Sequence, residues 1–253
     1  MKQKSLLERV ALQAAHLVPV ARVTSNLTAP LASISFDDIP HSAARIGAPI
    51  LEAADLRGTY YVCGSHVGRS FEDRQQHEIK DLIALFEAGH ELACHSFAHP
   101  DTRKIDDVTR LADIKANADF MATHIGDVNL TSFAYPYGAV TLSNKAFYAK
   151  QFSSCRGVYG GVNAGTMDFS DLLAVGIESR KHDMGRVRAL IDEAVARNGW
   201  LIFYTHDVEV NPSGFGCTPK DLEDVIQALC EAKIETLPVR DAAIRVRSTH
   251  NAA

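Results

Sequence analysis

No Cys-x-x-Cys pair occurs among Cys63, Cys94, Cys155, Cys217 and Cys230, and the number of cysteines is odd. That argues against a disulfide framework and a cysteine-only metal cage, so the thiols read as reduced and mostly buried. No excess of basic charge is present: the net charge is -5, and the only basic cluster, Arg180-Lys181 with Arg186 and Arg188, is short. Nucleic acid is therefore not expected as a partner. No run of residues reaches the roughly 20 apolar positions of a spanning helix, so stable membrane insertion is not expected. Lys2 and Lys4 precede Leu6-Leu7, but Glu8-Arg9 interrupt that run before it resembles a signal peptide, and a cytoplasmic location is expected. With 46% hydrophobic and 23% charged residues, neither disorder nor a fibrous repeat is indicated.

What is present begins with Leu6, Val10, Ala14 and Leu17 near helical spacing. They predict an amphipathic helix over 5–18, stopped before Pro19. Residues 1–29 read as that helix and a linker packed on the domain, and residues 30–253 as one domain. From residue 30 onward, short β-branched and aromatic runs alternate with stretches of helical period, the pattern of β-α units around a parallel sheet. Predicted strands run over Leu31–Phe36, Thr59–Cys63, Glu91–Cys94, Leu130–Ala134, Ser153–Arg156, Leu172–Ile177, Leu201–Thr205 and Ile234–Leu237. Between them, Ile79, Leu82, Ile83 and Phe86 form a helical stripe that stops at Gly89. Val108, Leu111, Ala118, Met121, Ala122 and Ile125 form another before Gly126. A third helix starts at Thr218-Pro219 and should bury Leu222, Val225, Ile226 and Leu229. Seven or eight strands with such crossovers fit a closed or nearly closed α/β barrel, with a doubly wound open sheet as the alternative. Either architecture places chemistry at strand C-termini.

Three predicted strand ends carry reactive residues. Asp37 and Asp38 follow Phe36; adjacent side chains there project differently, so one carboxylate can hold a metal while the other handles a proton, although an acidic pair before Ile39-Pro40 also suits a solvated turn. His95 and His99 follow Cys94 and share a face if the intervening turn is helical, as zinc ligation requires. Thr205-His206-Asp207 ends another strand, where a histidine is suited to protonating a departing amine or alkoxide. All three ends open on one barrel face.

With these motifs the sequence resembles the polysaccharide deacetylase (NodB homology, carbohydrate esterase family four) family. The family's Thr-Phe-Asp-Asp, His-Ser/Thr-x-x-His, Arg-x-Pro-x-Gly and Leu-x-His motifs correspond, in order, to Ser35-Phe36-Asp37-Asp38, His95-Ser96-Phe97-Ala98-His99, Ala134-Tyr135-Pro136-Tyr137-Gly138 and Tyr204-Thr205-His206. The resemblance implies a deformed (β/α) barrel of the NodB type. It also implies one divalent metal ion, zinc, held by Asp38, His95 and His99, with Asp37 as catalytic base and His206 as catalytic acid. It places the Tyr137 amide at the oxyanion and Tyr135, Pro136 and Gly138 against the substrate, an acetylated carbohydrate. The implied reaction is hydrolysis of an acetyl group, N-acetyl in the first instance, from a sugar, oligosaccharide or polysaccharide. An amidase of the same fold acting on a non-sugar amide or cyclic imide, and a non-catalytic carbohydrate-binding barrel, are the alternatives.

Two features depart from the family pattern. Ala134 stands where the third motif has its base-orienting arginine, and Arg180 is expected to replace it beside Asp37; the competing view leaves Arg180 in solvent with Glu178 or Asp183. The family's Asp-and-Trp motif is not recognisable, so Asp183 is the candidate to orient His206, and Trp200 is expected in the core.

Overall fold

The computed structural model describes residues 15–71 and 73–250. Of the helix expected over 5–18, residues 5–14 lie outside this range, and residues 15–17 are helical. The strands follow in chain order. β1 (Arg22–Thr24) precedes β2 (Leu31–Asp37) and β3 (Thr59–Val62), and a small antiparallel pair, β4 (Ser70–Phe71) and β5 (Arg74–Gln75), comes next. β6 (Glu91–Cys94), β7 (Ser132–Ala134) and β8 (Ser154–Arg156) are followed by β9 (Thr166–Asp168), which pairs antiparallel with β1. β10 (Val175–Gly176), β11 (Trp200–Thr205) and β12 (Glu235–Thr236) complete the set.

One parallel sheet carries the order β10-β11-β2-β3-β6-β7-β8, with β12 also parallel to β2. A parallel bridge from Arg156 to Leu172 ties β8 to the segment leading into β10, so the sheet curls back toward its first edge. This is the deformed α/β barrel expected, and the open doubly wound alternative is not adopted. The run Leu172–Ile177 forms a ladder only at Val175 and Gly176. Leu172 is occupied instead with β8, donating to the Cys155 carbonyl and accepting from the Gly157 amide.

Strand alternation separates two kinds of interior. On β2, Ala32, Ile34 and Phe36 join Leu92, Leu201 and Phe203 in an apolar layer beneath the helices. Each fully buried Leu, Ile or Phe there contributes roughly 1.5–3 kcal/mol. The opposite face mixes a second apolar cluster, including Leu31, Trp200 and Ile202, with buried hydrogen bonds: the Trp200 indole donates to Ser33 Oγ at 3.0 Å, Ser35 Oγ to the Phe203 carbonyl at 2.9 Å and Thr59 to Glu91 at 2.8 Å. Trp200 is a core residue, as expected. Alternation therefore aims Asp37, last on β2, into the barrel mouth rather than toward the helices.

The helices are α1 (Ala48–Ala53), α2 (Ile79–Glu87), α3 (Asp107–His124), α4 (Leu142–Tyr148), α5 (Met184–Arg197), α6 (Pro219–Glu231) and α7 (Val239–His250). Gly89, with φ +86°, supplies the left-handed turn after α2. Thr218 caps α6 by accepting from the Asp221 amide, and the face expected for that helix is the one buried. The face expected for α3 is buried only in part. Met121 is buried and Ile125 half-buried, but Val108 and Leu111 are exposed, and Arg110, Ile114 and Asn117 are buried instead. The reason is polar anchoring: Arg110 donates to the Thr102 carbonyl, and Asn117 donates to the Val62 carbonyl while accepting from the Gly64 amide. A hydrophobic stripe cannot reveal a helix held by its hydrogen bonds.

The N-terminal residues that are described are held from inside. The fully buried Lys145 donates to the carbonyls of Ala15 and Val18 and pairs with Asp168 at 2.6 Å, and His16 meets Asp171 at 2.7 Å.

Candidate active site

The chain leaves β2 through two successive left-handed residues, Asp38 (φ 60°) and Ile39 (φ 57°). His77 holds this turn from outside, donating its backbone N–H and its ring Nδ1 to the Ile39 carbonyl. His95 follows β6 directly and is tied to β3 through the Val62 carbonyl. Its Nδ1 donates to the Ala134 carbonyl at 2.9 Å, which sets the tautomer and turns Nε2 toward Asp38. The turn from His95 to His99 is not helical. The Asp113 carboxylate clamps it by accepting from the amides of Phe97 and Ala98, Ser96 Oγ accepts from the His99 amide, and Ser96 and His99 take positive φ. The two imidazoles converge through this clamp.

The result is a compact set of donors. His99 Nε2 lies 3.4 Å and His95 Nε2 3.7 Å from Asp38 Oδ1, all three residues are buried, and their ligand atoms lie within 4.8 Å of one another. These contacts are too long for good hydrogen bonds. They match instead the roughly 3.4 Å that separates two ligands on one tetrahedral zinc with bonds of about 2.0–2.2 Å. The donor set therefore fits a divalent ion. Burial pushes His99 down to about 3, partly offset by Asp38, so its ring is neutral and its lone pair available. Burial alone would raise the Asp38 carboxyl, but His99, His95, His206 and His66 outweigh it and hold the group below its ordinary value.

Asp37 points the other way and meets Arg156, whose Nη2 donates to Asp37 Oδ1. The guanidinium is buried between the rings of Tyr61 and Tyr204, 4.7 and 5.1 Å from their centroids, and donates also to the Gly157 carbonyl. Ala93 and Ala134 flank Tyr61 and leave room for this stack inside the barrel. Burial would raise the Asp37 carboxyl; Arg156, His95 and His206 overcome that and hold it below the usual range. Asp37 is thus an ionised carboxylate with a fixed orientation.

Arg180, expected in this position, is elsewhere. It is about half exposed, lies 3.3 Å from Glu178 and rests on the Phe215 ring at 4.9 Å. The short 3-10 turn Ser179–Lys181 carries it to the rim of the cleft, and the view that placed it beside Glu178 is the one the structure matches. Asp183 does not orient His206 either. Its carboxylate caps α5 by accepting from the Gly185 amide at 2.8 Å, and His206 Nδ1 meets the Phe215 carbonyl at 3.3 Å.

A cavity of about 230 Å³ joins these groups. Asp37, Asp38, His95, His99 and His206 line one side, with Tyr135, Tyr137, Gly138, Glu178, Tyr204 and Phe215 among the remaining walls. Pro136 is buried in the turn behind Tyr137, whose ring meets the His99 ring edge to face, with the centroids 4.4 Å apart. Glu178 was not singled out in the sequence; it is a buried carboxylate ion-paired with Lys181 at 2.8 Å. Nor was Arg156, although the signal existed: it is the charged last residue of a strand that was itself predicted.

The sequence profile of the polysaccharide deacetylase family matches residues 24–152, just over half of the chain. The chain belongs to the polysaccharide deacetylase family. A 120-residue stretch is 28% identical to a bifunctional xylanase/deacetylase of Pseudobutyrivibrio xylanivorans, which covers 46% of this chain but only 18% of that larger protein. The fold is similar to that of the Xyl-CE4 domain of a multidomain xylanase from the hindgut metagenome of Trinervitermes trinervoides (TM-score 0.57, 17% identity, 85% of this chain and 89% of that one). It is also similar to the chitin deacetylase of Colletotrichum lindemuthianum (TM-score 0.57, 13% identity, 88% and 90%). A mutant of a CE4 family pseudoenzyme with restored enzymatic activity shares it as well (TM-score 0.57, 12% identity, 90% and 72%). A shared fold therefore does not by itself establish catalysis.

Proposed function

We propose that this protein is a zinc-dependent hydrolase that removes an acetyl group, N-acetyl in the first instance, from a sugar, oligosaccharide or polysaccharide. The observation that carries this reading is the convergence of His95 Nε2 and His99 Nε2 on Asp38 Oδ1 beside a second carboxylate, Asp37, that is turned away to Arg156. Asp38, His95 and His99 would hold the ion, which when bound supplies a Lewis acid and lowers the pKa of water.

The chain's own residues account for the proton movements. Asp37, ionised and held by Arg156, accepts a proton from the attacking water as its oxygen bonds to the acetyl carbon. The Tyr137 amide is assigned to the developing oxyanion. His206, which lines the same cavity, donates a proton to the departing nitrogen as the C–N bond breaks, leaving acetate and a free amine. Tyr135, Tyr137 and Gly138 lie where the sugar would contact the wall.

The test is acetate release from a panel of N- and O-acetylated sugars by zinc-loaded protein. Release from an N-acetyl sugar supports the reading. Turnover of simple amides or a cyclic imide, with none of any acetylated sugar, would replace it with the amidase alternative.

A further inference from the structure

Asp38 Oδ1, which meets His95 and His99, meets a second set of donors as well. Cys63, immediately after β3, has its Sγ 3.8 Å from that oxygen while its thiol donates to the His95 carbonyl, and His66 has its Nδ1 3.8 Å from it. The three ligand atoms lie within 4.8 Å of one another and all three residues are buried. His66 Nδ1 has no hydrogen-bond partner although its side chain is only 9% exposed, and a buried polar atom left unpaired is destabilising unless a ligand meets it. A sulfur and an oxygen on one tetrahedral zinc lie roughly 3.6 Å apart and a nitrogen and an oxygen roughly 3.4 Å apart, so both observed separations of 3.8 Å close by a few tenths of an ångström on binding.

The turn that presents these donors is built rather than incidental. Gly64 donates to Asn117 Oδ1 from α3, and a side chain at Gly64 would come within 2.9 Å of Phe97 and Phe120. Ser65 and His66 donate to the carbonyls of Phe97 and Cys63, and the His66 ring stacks on Phe71 at 4.2 Å. His66 is thereby held with one ring nitrogen aimed at the carboxylate.

We infer that Asp38, Cys63 and His66 form a second cation seat, which takes a thiophilic divalent ion such as zinc and shares the Asp38 carboxylate with the first. A sulfur, an imidazole and a single shared carboxylate select against magnesium and calcium, which take oxygen ligands. Hydrolases with two metal ions hold them roughly 3.5–4 Å apart, so two ions can share one site. Binding releases the Cys63 thiol proton to water and leaves a thiolate on the metal. The inference rests on the proposed metal reading only through Asp38, and the two are separable by experiment.

Chelator-stripped protein is titrated with cobalt(II) or zinc, desalted, and analysed for bound metal per chain and for sulfur-to-cobalt charge-transfer absorption. Wild type is expected to hold two ions, with the sulfur band present. Cys63→Ser and His66→Ala are each expected to hold one ion without the band. Their far-UV circular dichroism should match wild type; His66→Gln, which keeps a polar side chain, substitutes if His66→Ala is misfolded. His99→Ala is expected to lose the first ion and keep the sulfur band. One ion per wild-type chain at saturation, with or without the band, would overturn the second seat, as would a second ion that survives in both Cys63→Ser and His66→Ala. An unchanged ion count in His99→Ala would instead count against the first seat alone.

Discussion

Ala134 and Arg156 face each other in the parallel register of β7 and β8. The guanidinium that orients Asp37 therefore comes from the neighbouring strand at the same height in the barrel as the alanine that stands in the third motif. Arg156→Ala is expected to lower kcat about 10- to 100-fold with zinc content unchanged, because a positioning group is lost while the metal donors remain. It should also destabilise the fold by about 3–5 kcal/mol, since the buried Asp37 charge loses its partner. Adding Ala134→Arg to Arg156→Ala moves the cation one strand across and should recover part of the rate. Arg180→Ala should stay within about 3-fold of wild type, as expected for a half-exposed rim ion pair. A kcat for Arg156→Ala equal to wild type would remove Arg156 from the account.

Asp37→Asn should keep bound zinc and lose about 10²- to 10⁴-fold in turnover, the range typical for a general base. Rate and metal content must be measured on the same preparation. A zinc-loaded Asp37→Asn protein with full activity would exclude Asp37 as the base.

Removal of metal with a chelator should abolish hydrolysis, and added zinc should restore it. Asp38→Ala and His99→Ala should not recover under the same treatment, because each leaves only two of the three donors. Elemental analysis checks the stripped state. Undiminished turnover by demonstrably metal-free protein would contradict the assignment.

His77 gives a pH dependence with a definite sign. Burial pushes its ring down to about 4, partly offset by its bond to Ile39, while an unfolded histidine titrates near 6.5. As pH falls through this interval the unfolded chain takes up the proton first, so stability fully present above about 6.5 is lost toward 4. At about 1.4 kcal/mol per pH unit the group accounts for roughly 3 kcal/mol. His77→Asn keeps a donor for the Ile39 carbonyl but cannot ionise. Chemical denaturation at a series of pH values should show a shallower acid slope for this variant, and parallel slopes would refute the assignment.

How far the sequence could be read depends on what carries each feature. Trp200–Thr205 announces itself by an aromatic and β-branched run and Leu31–Asp37 by a short apolar stretch ending in an acidic pair, and the strand-end Asp, His and His residues could be placed in one mouth by topology alone. The helix α3 was found but its buried face only in part: Met121 was right, while Arg110 and Asn117, which hold the helix through backbone carbonyls, leave no apolar stripe to read. Arg156 was missed for a different reason. Which of several arginines reaches Asp37 depends on lateral strand order and shear, neither of which is written in local pattern. Glu178 was passed over because an acidic residue beside Arg180 and Lys181 resembles any solvated turn.

Asp38, Ser96, His99 and Tyr137 all have left-handed backbone, at φ between 52° and 67°. A side chain in that region costs about 1–3 kcal/mol, and the proposed chemistry requires the side chain at Asp38 and His99. Efforts to make this protein more heat-resistant would find relief at these four positions by converting them to glycine, and would there exchange function for durability. Gains that spare activity lie at the other left-handed residues away from the mouth, Asp55, Asn198 and Lys233, where glycine relieves the same torsion and removes no donor.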